Sequence, residues 1–181
     1  MEFCHTSVLF SQCMEGLAIR PEGIYLDGTA GGGGHSLGIA RRLTTGRLIA
    51  LDKDPDAVKA AGERLAGLPA RVVESDYADI PQVLDSLGID KVDGILLDLG
   101  VSSYQLDTPE RGFSYMADAP LDMRMTQQGF SARDLVNQWD VSSMARALRE
   151  FGEEKYALAI AKRIARAREQ QPVETTGHLE E

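Results

Sequence analysis

Apolar positions in the first hundred residues fall in short dense runs, each followed by a polar or glycine-bearing stretch. Ile24-Tyr25-Leu26 is one run and stops at Asp27. Arg47-Leu48-Ile49-Ala50-Leu51 is the second, closed by Asp52. Arg71-Val72-Val73-Glu74 and Val92-Asp93-Gly94-Ile95-Leu96-Leu97 follow, the last ending on Asp98. Such runs read as strands. Helical patterns lie between them: residues 36–43 with Gly46 marking the end, residues 54–65 with Pro55 in the first turn, and residues 80–87. A short lead and a helix over residues 8–17 precede the first strand. The alternation predicts an α/β fold, a parallel sheet with right-handed crossovers.

After Met125 the pattern changes. Residues 132–139, 143–151 and 154–169 read as helices with no strand between them, and Tyr156, Ile160 and Ile164 form the expected apolar face of the last. The chain is therefore expected to divide into a core over residues 1–125 and a helical insertion over residues 126–181. Pro172 and Thr175-Thr176 read as the approach to another helix. Four strands in the order 3-2-1-4 leave the fourth as an edge, and an apolar edge in water invites pairing. On this reading the chain is the N-terminal part of a longer protein, and self-association is expected of it alone.

Charge changes the picture only locally. A formal net charge of −9 argues against a surface that grips nucleic acid throughout. Basic residues nevertheless cluster at Lys155, Lys162, Arg163, Arg166 and Arg168, and Arg111 and Arg124 stand in the loop after the fourth strand. Arg111, Arg124, Arg163 and Arg166 are candidates for RNA phosphate contacts, with a solvated helix face as the other reading of the last two. No secretory leader opens the sequence and no apolar run reaches membrane-spanning length, so a cytoplasmic protein with no membrane partner is expected. Cys4 and Cys13 read as free thiols. A zinc site from Cys4, His5 and Cys13 would want a fourth ligand, and no metal is expected.

The chemistry concentrates in two loops. The first, D-G-T-A-G-G-G-G-H-S from Asp27, joins strand one to its helix, where glycines let the backbone turn tightly and approach a ligand. Ser36 can cap that helix. A phosphate loop would end Gly-Lys-Ser/Thr, whereas this one ends Gly-His-Ser, and a G-x-G-x-x-G frame begun at Gly31 finishes on Ser36. An acid opening the loop suits S-adenosylmethionine, whose amine and sulfonium are cationic. Asp52 stands where an acid commonly holds ribose hydroxyls. Tyr77 is placed to lie against an adenine ring or to fill core. The second loop, D-L-G-V-S-S-Y-Q-L-D-T-P-E-R-G-F-S-Y-M-A-D-A-P-L-D-M-R-M from Asp98, leaves the carboxyl end of strand four, the side on which such sheets bind ligands.

Together these stretches resemble the RsmH/MraW family of ribosomal RNA methyltransferases, over nearly the whole chain. The most specific parts are D-G-T-x-G-x-G-G-H-S, D-L-G-V-S-S-x-Q-L-D, R-G-F-S and P-L-D-M-R-M. Departures are Thr6-Ser7 in place of a residue-proline pair, Tyr104 where proline is common, and Ala30 where Phe or Leu is frequent. The resemblance implies a Rossmann-like class I methyltransferase sheet with S-adenosylmethionine as cofactor. It carries cofactor contacts onto Gly33, Gly34, His35, Asp52, Tyr77, Asp98 and Gln105, beside Asp27 from the loop's chemistry. It implies methyl transfer to the N4 amine of a cytosine in the decoding centre of 16S ribosomal RNA, within the small ribosomal subunit. Asp98 is the candidate acceptor of a hydrogen bond from the amine as well as a cofactor contact, and Ser102 in the adjoining loop is a second catalytic candidate. His35, at a helix start, reads as a cofactor contact more than as a base. Two other classes stay open: a nicotinamide-dependent oxidoreductase, separable by titration with that cofactor, and a non-catalytic remnant that binds cofactor or ribosome.

Overall fold

The computed structural model describes residues 7–180, so Cys4 and His5 lie outside the described residues. Two compact units divide between Gly100 and Val101.

In the first unit, β1 (Ile24–Asp27), β2 (Arg47–Asp52), β3 (Ala70–Glu74) and β4 (Gly94–Leu96) form one parallel sheet in the order β3-β2-β1-β4. A parallel sheet must be covered on both faces, and the alternation within its strands supplies two cores. Tyr25, Leu48 and Ala50 face one side with Met14 of α1 (Phe10–Leu17), Ile39 of α2 (Gly34–Ala40) and Ala61 of α3 (Pro55–Arg64). Leu26, Ile49 and Leu51 face the other with Ile89, against Ile80, Val83 and Leu84 of α4 (Ile80–Ser86). Leu26, Leu48 and Leu51 are fully buried, each contributing about 1.5–3 kcal/mol relative to exposure. The carboxylate of Asp54 accepts the Asp56 N–H, so Asp54 caps α3 with Pro55 in its first turn, as its sequence predicts.

β4 is shorter than the apolar run at residues 92–97. Just before β4, the Asp93 N–H donates to the Ile24 carbonyl at 2.7 Å, while its carboxylate takes the Ile24 N–H at 2.8 Å and also pairs with Arg20. The strand lies at the sheet edge, with Ile95 48% exposed. Ser36 does not cap α2. Gly33, at φ +78°, holds that place, and Ser36 lies inside the helix with its hydroxyl turned to Asp27.

The second unit begins earlier than the expected boundary at 125/126, because the loop after β4 packs with the helices. Leu121 shares a core with Val136 and Val173. Pro120 bridges Thr175, and the Thr176 N–H donates to the Ala119 carbonyl at 2.9 Å. The helices are α5 (Ser103–Asp107), α6 (Ala132–Gln138), α7 (Val141–Glu150), α8 (Ala157–Arg168) and α9 (Thr176–Glu180). Helix α7 starts before the expected residue 143 because Asp140 accepts the Ser143 N–H and becomes its cap.

The buried face of α8 also differs from the expected one. Tyr156 is 74% exposed, whereas Ala157 and Ala161 are fully buried, Ala161 against Met144 and Ala145 of α7. Small side chains let two helix backbones approach closely, so alanines make the seam; Tyr156 and Ile160 turn outward, while Ile164 packs partly buried against both helical cores as expected. Ala161→Leu should therefore overpack the seam and destabilise the protein by about 1–3 kcal/mol, read as a shift in urea midpoint. An unchanged midpoint would show that the seam has room.

Candidate functional site

The parallel register brings the strand ends level, Asp27 beside Ala50 and Leu96, and Asp52 beside Glu74. The chain continues the ladder just past them. Gly28 N–H donates to the Leu96 carbonyl, Ala30 N–H to the Leu51 carbonyl and Ser75 N–H to the Asp52 carbonyl, all at 2.8–2.9 Å. The glycine loop is thus laced into the sheet on both sides. Gly28 is favoured there by close approach: a Cβ would stand 3.3 Å from Tyr77 Cβ and 2.5 Å from Leu97 Cδ2, which would have to move aside. Gly33 is required by its positive φ and by the Ala61 backbone 3.3 Å from where a Cβ would be.

Asp27 lies beneath this loop, wholly buried. Its Oδ1 accepts the Thr29 N–H at 3.1 Å and its Oδ2 accepts the Ser36 hydroxyl at 2.6 Å. The expected direct contact with a cationic ligand is replaced by an organising role, since burial and two internal donors engage the carboxyl from below. Burial pushes its pKa up, against the opposing pull of Ser36, Thr29 and His35. The Asp-to-Thr29 bond spans two residues, a local turn that Asp favours, and that was the available sequence signal for Thr29.

Asp52 ends β2 half-buried. Its Oδ2 accepts the Gly31 N–H at 2.8 Å and its Oδ1 the Asp54 N–H at 3.0 Å. Each carboxylate oxygen has a further lone pair. At Gly31, φ +50°, no described residue beyond its two chain neighbours comes within 4 Å of a would-be Cβ, so the crest of the loop beside Asp52 is open. Tyr77 is 43% exposed and opens a single-turn helix at the end of β3, whose preceding Asp76 accepts from Ala78 N–H and from Lys53 Nζ at 3.1 Å.

His35 is 6% exposed and stacks on Phe10. Its Nε2 lies 3.0 Å from the Val8 carbonyl, which can only accept, so Nε2 carries a proton and is no base. Nδ1 is 4.0 Å from Asp98 Oδ2. Asp98 lies past the end of β4 with its side chain 52% exposed, and its backbone N–H donates to Thr29 Oγ1 at 2.7 Å. The first unit therefore gathers Asp27, Gly33, Gly34, His35, Asp52, Tyr77 and Asp98 at the carboxyl end of its sheet.

In the second unit Ser102, Gln105, Arg111 and Arg124 hold structure. Ser102 caps α5: its hydroxyl accepts the Gln105 N–H, and Gln105 Oε1 accepts the Ser102 N–H at 3.0 Å. The S-x-x-Q spacing was legible as a capping box, and the helix it starts was not foreseen. Gln105 is 4% exposed. Arg111, expected at an RNA phosphate, is 8% exposed and donates through Nη2 to the carbonyls of Arg124 and Met125 at 3.0 and 3.1 Å. Arg124 is committed likewise, to the Asp122 carboxylate at 2.5 Å and the Gly129 carbonyl at 3.1 Å. These bonds hold the Asp122 carboxyl below its usual range. Arg163 and Arg166 are exposed on α8, while Arg168 turns back to the Val136 and Trp139 carbonyls at 2.8 and 2.7 Å.

Residues 2–181 match the model of the MraW methylase family. The chain belongs to that family. Ribosomal RNA small subunit methyltransferase H 2 of Agathobacter rectalis is 58% identical over 186 residues, taking in 100% of this chain and 59% of that protein. Ribosomal RNA small subunit methyltransferase H of Lachnospira eligens is 55% identical over 100% of this chain and 59% of its own length. The protein of that name from Symbiobacterium thermophilum is 51% identical over 100% of this chain and 58% of its own length. The chain thus spans about three fifths of the length of these relatives. The MraW methylase match takes in both the glycine loop over Asp27 and the Arg111–Arg124 clamp.

Among the described residues no group of His, Cys, Asp and Glu is arranged to hold a metal ion, and no helix is long and apolar enough to cross a membrane. Cys13 is a half-buried free thiol against the first core.

The elevated pKa of Asp27 makes a pH prediction. Its contribution to stability is full below the unfolded value of about 4 and declines as pH rises through the higher folded value. Asp27→Asn keeps an oxygen for the Thr29 N–H and has no charge to bury. Urea melts between about pH 4 and about pH 8 should show the variant gaining on the parent as pH rises. A difference independent of pH would remove burial as the cause.

Proposed function

We propose that this chain carries the cofactor site of an S-adenosylmethionine-dependent methyltransferase acting on the N4 amine of a cytosine in the decoding centre of 16S ribosomal RNA. The observation that carries the reading is the open crest at Gly31 beside the Asp52 carboxylate, above a loop tied to the sheet on both sides. A Cβ at Gly31 would project into that open space, and the loop carries no lysine to neutralise a phosphate. Acidic groups with spare lone pairs suit a ligand bearing hydroxyls and positive charge, so the residues fit this cofactor.

When bound, the cofactor supplies an electrophilic methyl group. Asp52 holds the ribose hydroxyls, Tyr77 offers an aromatic face to the adenine, and the backbone at Gly33, Gly34 and His35 shapes the floor. An aromatic amine is a weak nucleophile because its lone pair is delocalised into the ring. Asp98, half exposed at the tip of β4, accepts a hydrogen bond from that amine and holds its lone pair in line for transfer. Arg163 and Arg166 contact RNA phosphates from α8, the substrate being the small ribosomal subunit of the cytoplasm.

Asp52→Ala should weaken S-adenosylmethionine binding by about 1–3 kcal/mol, and Asp98→Ala should abolish single-turnover methylation of small-subunit particles. Calorimetry and the transfer assay on both variants separate cofactor holding from amine positioning. Unchanged affinity in the first variant, or near-normal transfer in the second, would sink the corresponding role.

Replacing Arg163 and Arg166 by Gln should flatten the salt dependence of RNA binding by roughly 0.7 in log–log slope for each lost single-strand contact. An unchanged slope would return that face of α8 to solvent.

A further inference from the structure

β4 ends at Leu96, so the sheet ladder does not hold Asp98. Packing holds it no better, since its neighbours Leu97 and Leu99 are 45% and 65% exposed. Besides the His35 ring 4.0 Å from its carboxylate, what reaches Asp98 is a relay through the glycine loop. The Ser36 hydroxyl donates to Asp27 Oδ2 at 2.6 Å, the Thr29 N–H donates to Asp27 Oδ1 at 3.1 Å, and Thr29 Oγ1 accepts the Asp98 N–H at 2.7 Å. The relay starts at a group that cannot move, because Asp27 and Ser36 are fully buried. It ends on an exposed residue of an irregular segment.

We propose that Thr29 is a positioning residue for methyl transfer. Its hydroxyl fixes the backbone of Asp98, and so aims the Asp98 carboxylate, relative to the cofactor loop. This rests on the reading of Asp98 as the acceptor for the substrate amine. The chemistry suits the task. A threonine hydroxyl accepts a backbone N–H, and its β-branch restricts the side-chain rotamers, so the acceptor is held steady. Valine keeps that shape and stiffness with no acceptor, leaving the Asp98 N–H without its partner. Serine keeps the acceptor with more freedom. A small misplacement of a group that aligns reactants is costly in rate, whereas cofactor held by Asp52 and the glycines would be little affected.

The test compares Thr29→Val and Thr29→Ser in the full protein, by single-turnover methylation of small-subunit particles at saturating S-adenosylmethionine, by calorimetry, and by amide exchange at Asp98. Thr29→Val should slow transfer about tenfold, equivalent to one lost hydrogen bond, with cofactor affinity within about threefold of the parent. Exchange of the Asp98 amide should quicken by a similar factor. Thr29→Ser should restore both to within about threefold of the parent. A Thr29→Val protein with parental exchange at Asp98, or with parental transfer rate, overturns the proposal, as does a Thr29→Ser protein as impaired as the valine variant. Collapse of cofactor affinity in Thr29→Val alongside the rate would make the role structural and overturn it too. Should Thr29→Val not fold, Thr29→Ala takes its place in the same comparison. A parent that methylates no RNA amine removes the functional reading, and the exchange measurement still decides whether Thr29 holds Asp98.

Discussion

A buried carboxyl at the end of β1 is the constraint on which the candidate site depends. Asp27 is desolvated, and water cannot satisfy it, so the Thr29 N–H and the Ser36 hydroxyl must. Those two bonds fix both arms of the glycine loop, one where it leaves the strand and one inside α2. The crest between them is then held from outside by Asp52 through the Gly31 N–H. Two acids with similar positions in the sequence pattern thus divide the work. Asp27 organises from below, and Asp52 borders the open side. Backbone bonds from Gly28 and Ala30 extend the sheet into the loop, so a segment rich in glycine is tied to the strands on both sides.

The second unit solves a different problem, that of giving definite shape to a long loop with little apolar content. Arg111 does so by burying a guanidinium whose Nη2 donates to two successive carbonyls, those of Arg124 and Met125. Arg124 spans from Asp122 to Gly129 and closes the next turn. The segment after α8 completes the arrangement. Val173 enters the small core, and Asn137 exchanges hydrogen bonds with its backbone at 2.7 and 2.9 Å. Removing two arginines from the list of phosphate contacts leaves the exposed basic residues of α8 as the remaining electrostatic candidates. They stand out against the chain's net charge of −9.

The proposed methyl transfer asks little covalent chemistry of the protein and much alignment. The geometry accords with that demand. His35 Nε2 is occupied as a donor to the Val8 carbonyl, and the Ser102 hydroxyl is occupied as a helix cap. Asp98 is exposed, acidic and tethered by its backbone, which is the description of an aiming group.

The sequence by itself determined the architecture of the first unit: four strands, their crossover helices, the loop at their carboxyl end and the two acids that close β1 and β2. These features follow from local pattern, because a strand buried on both faces cannot tolerate polar interruption and a tight turn beside backbone cannot tolerate a Cβ. The family likewise was legible, since its long motifs are strings of residues and not arrangements of them. Tertiary structure alone decided what the individual side chains do. Whether Asp27 faces ligand or interior, whether Arg111 meets phosphate or carbonyl, and whether Tyr156 or Ala161 lines the seam of α8 depend on distant partners. A carboxylate or guanidinium reads the same in sequence when solvated and when buried. Its role is set by which donors and acceptors the fold brings within about 3 Å, and local periodicity carries no record of them.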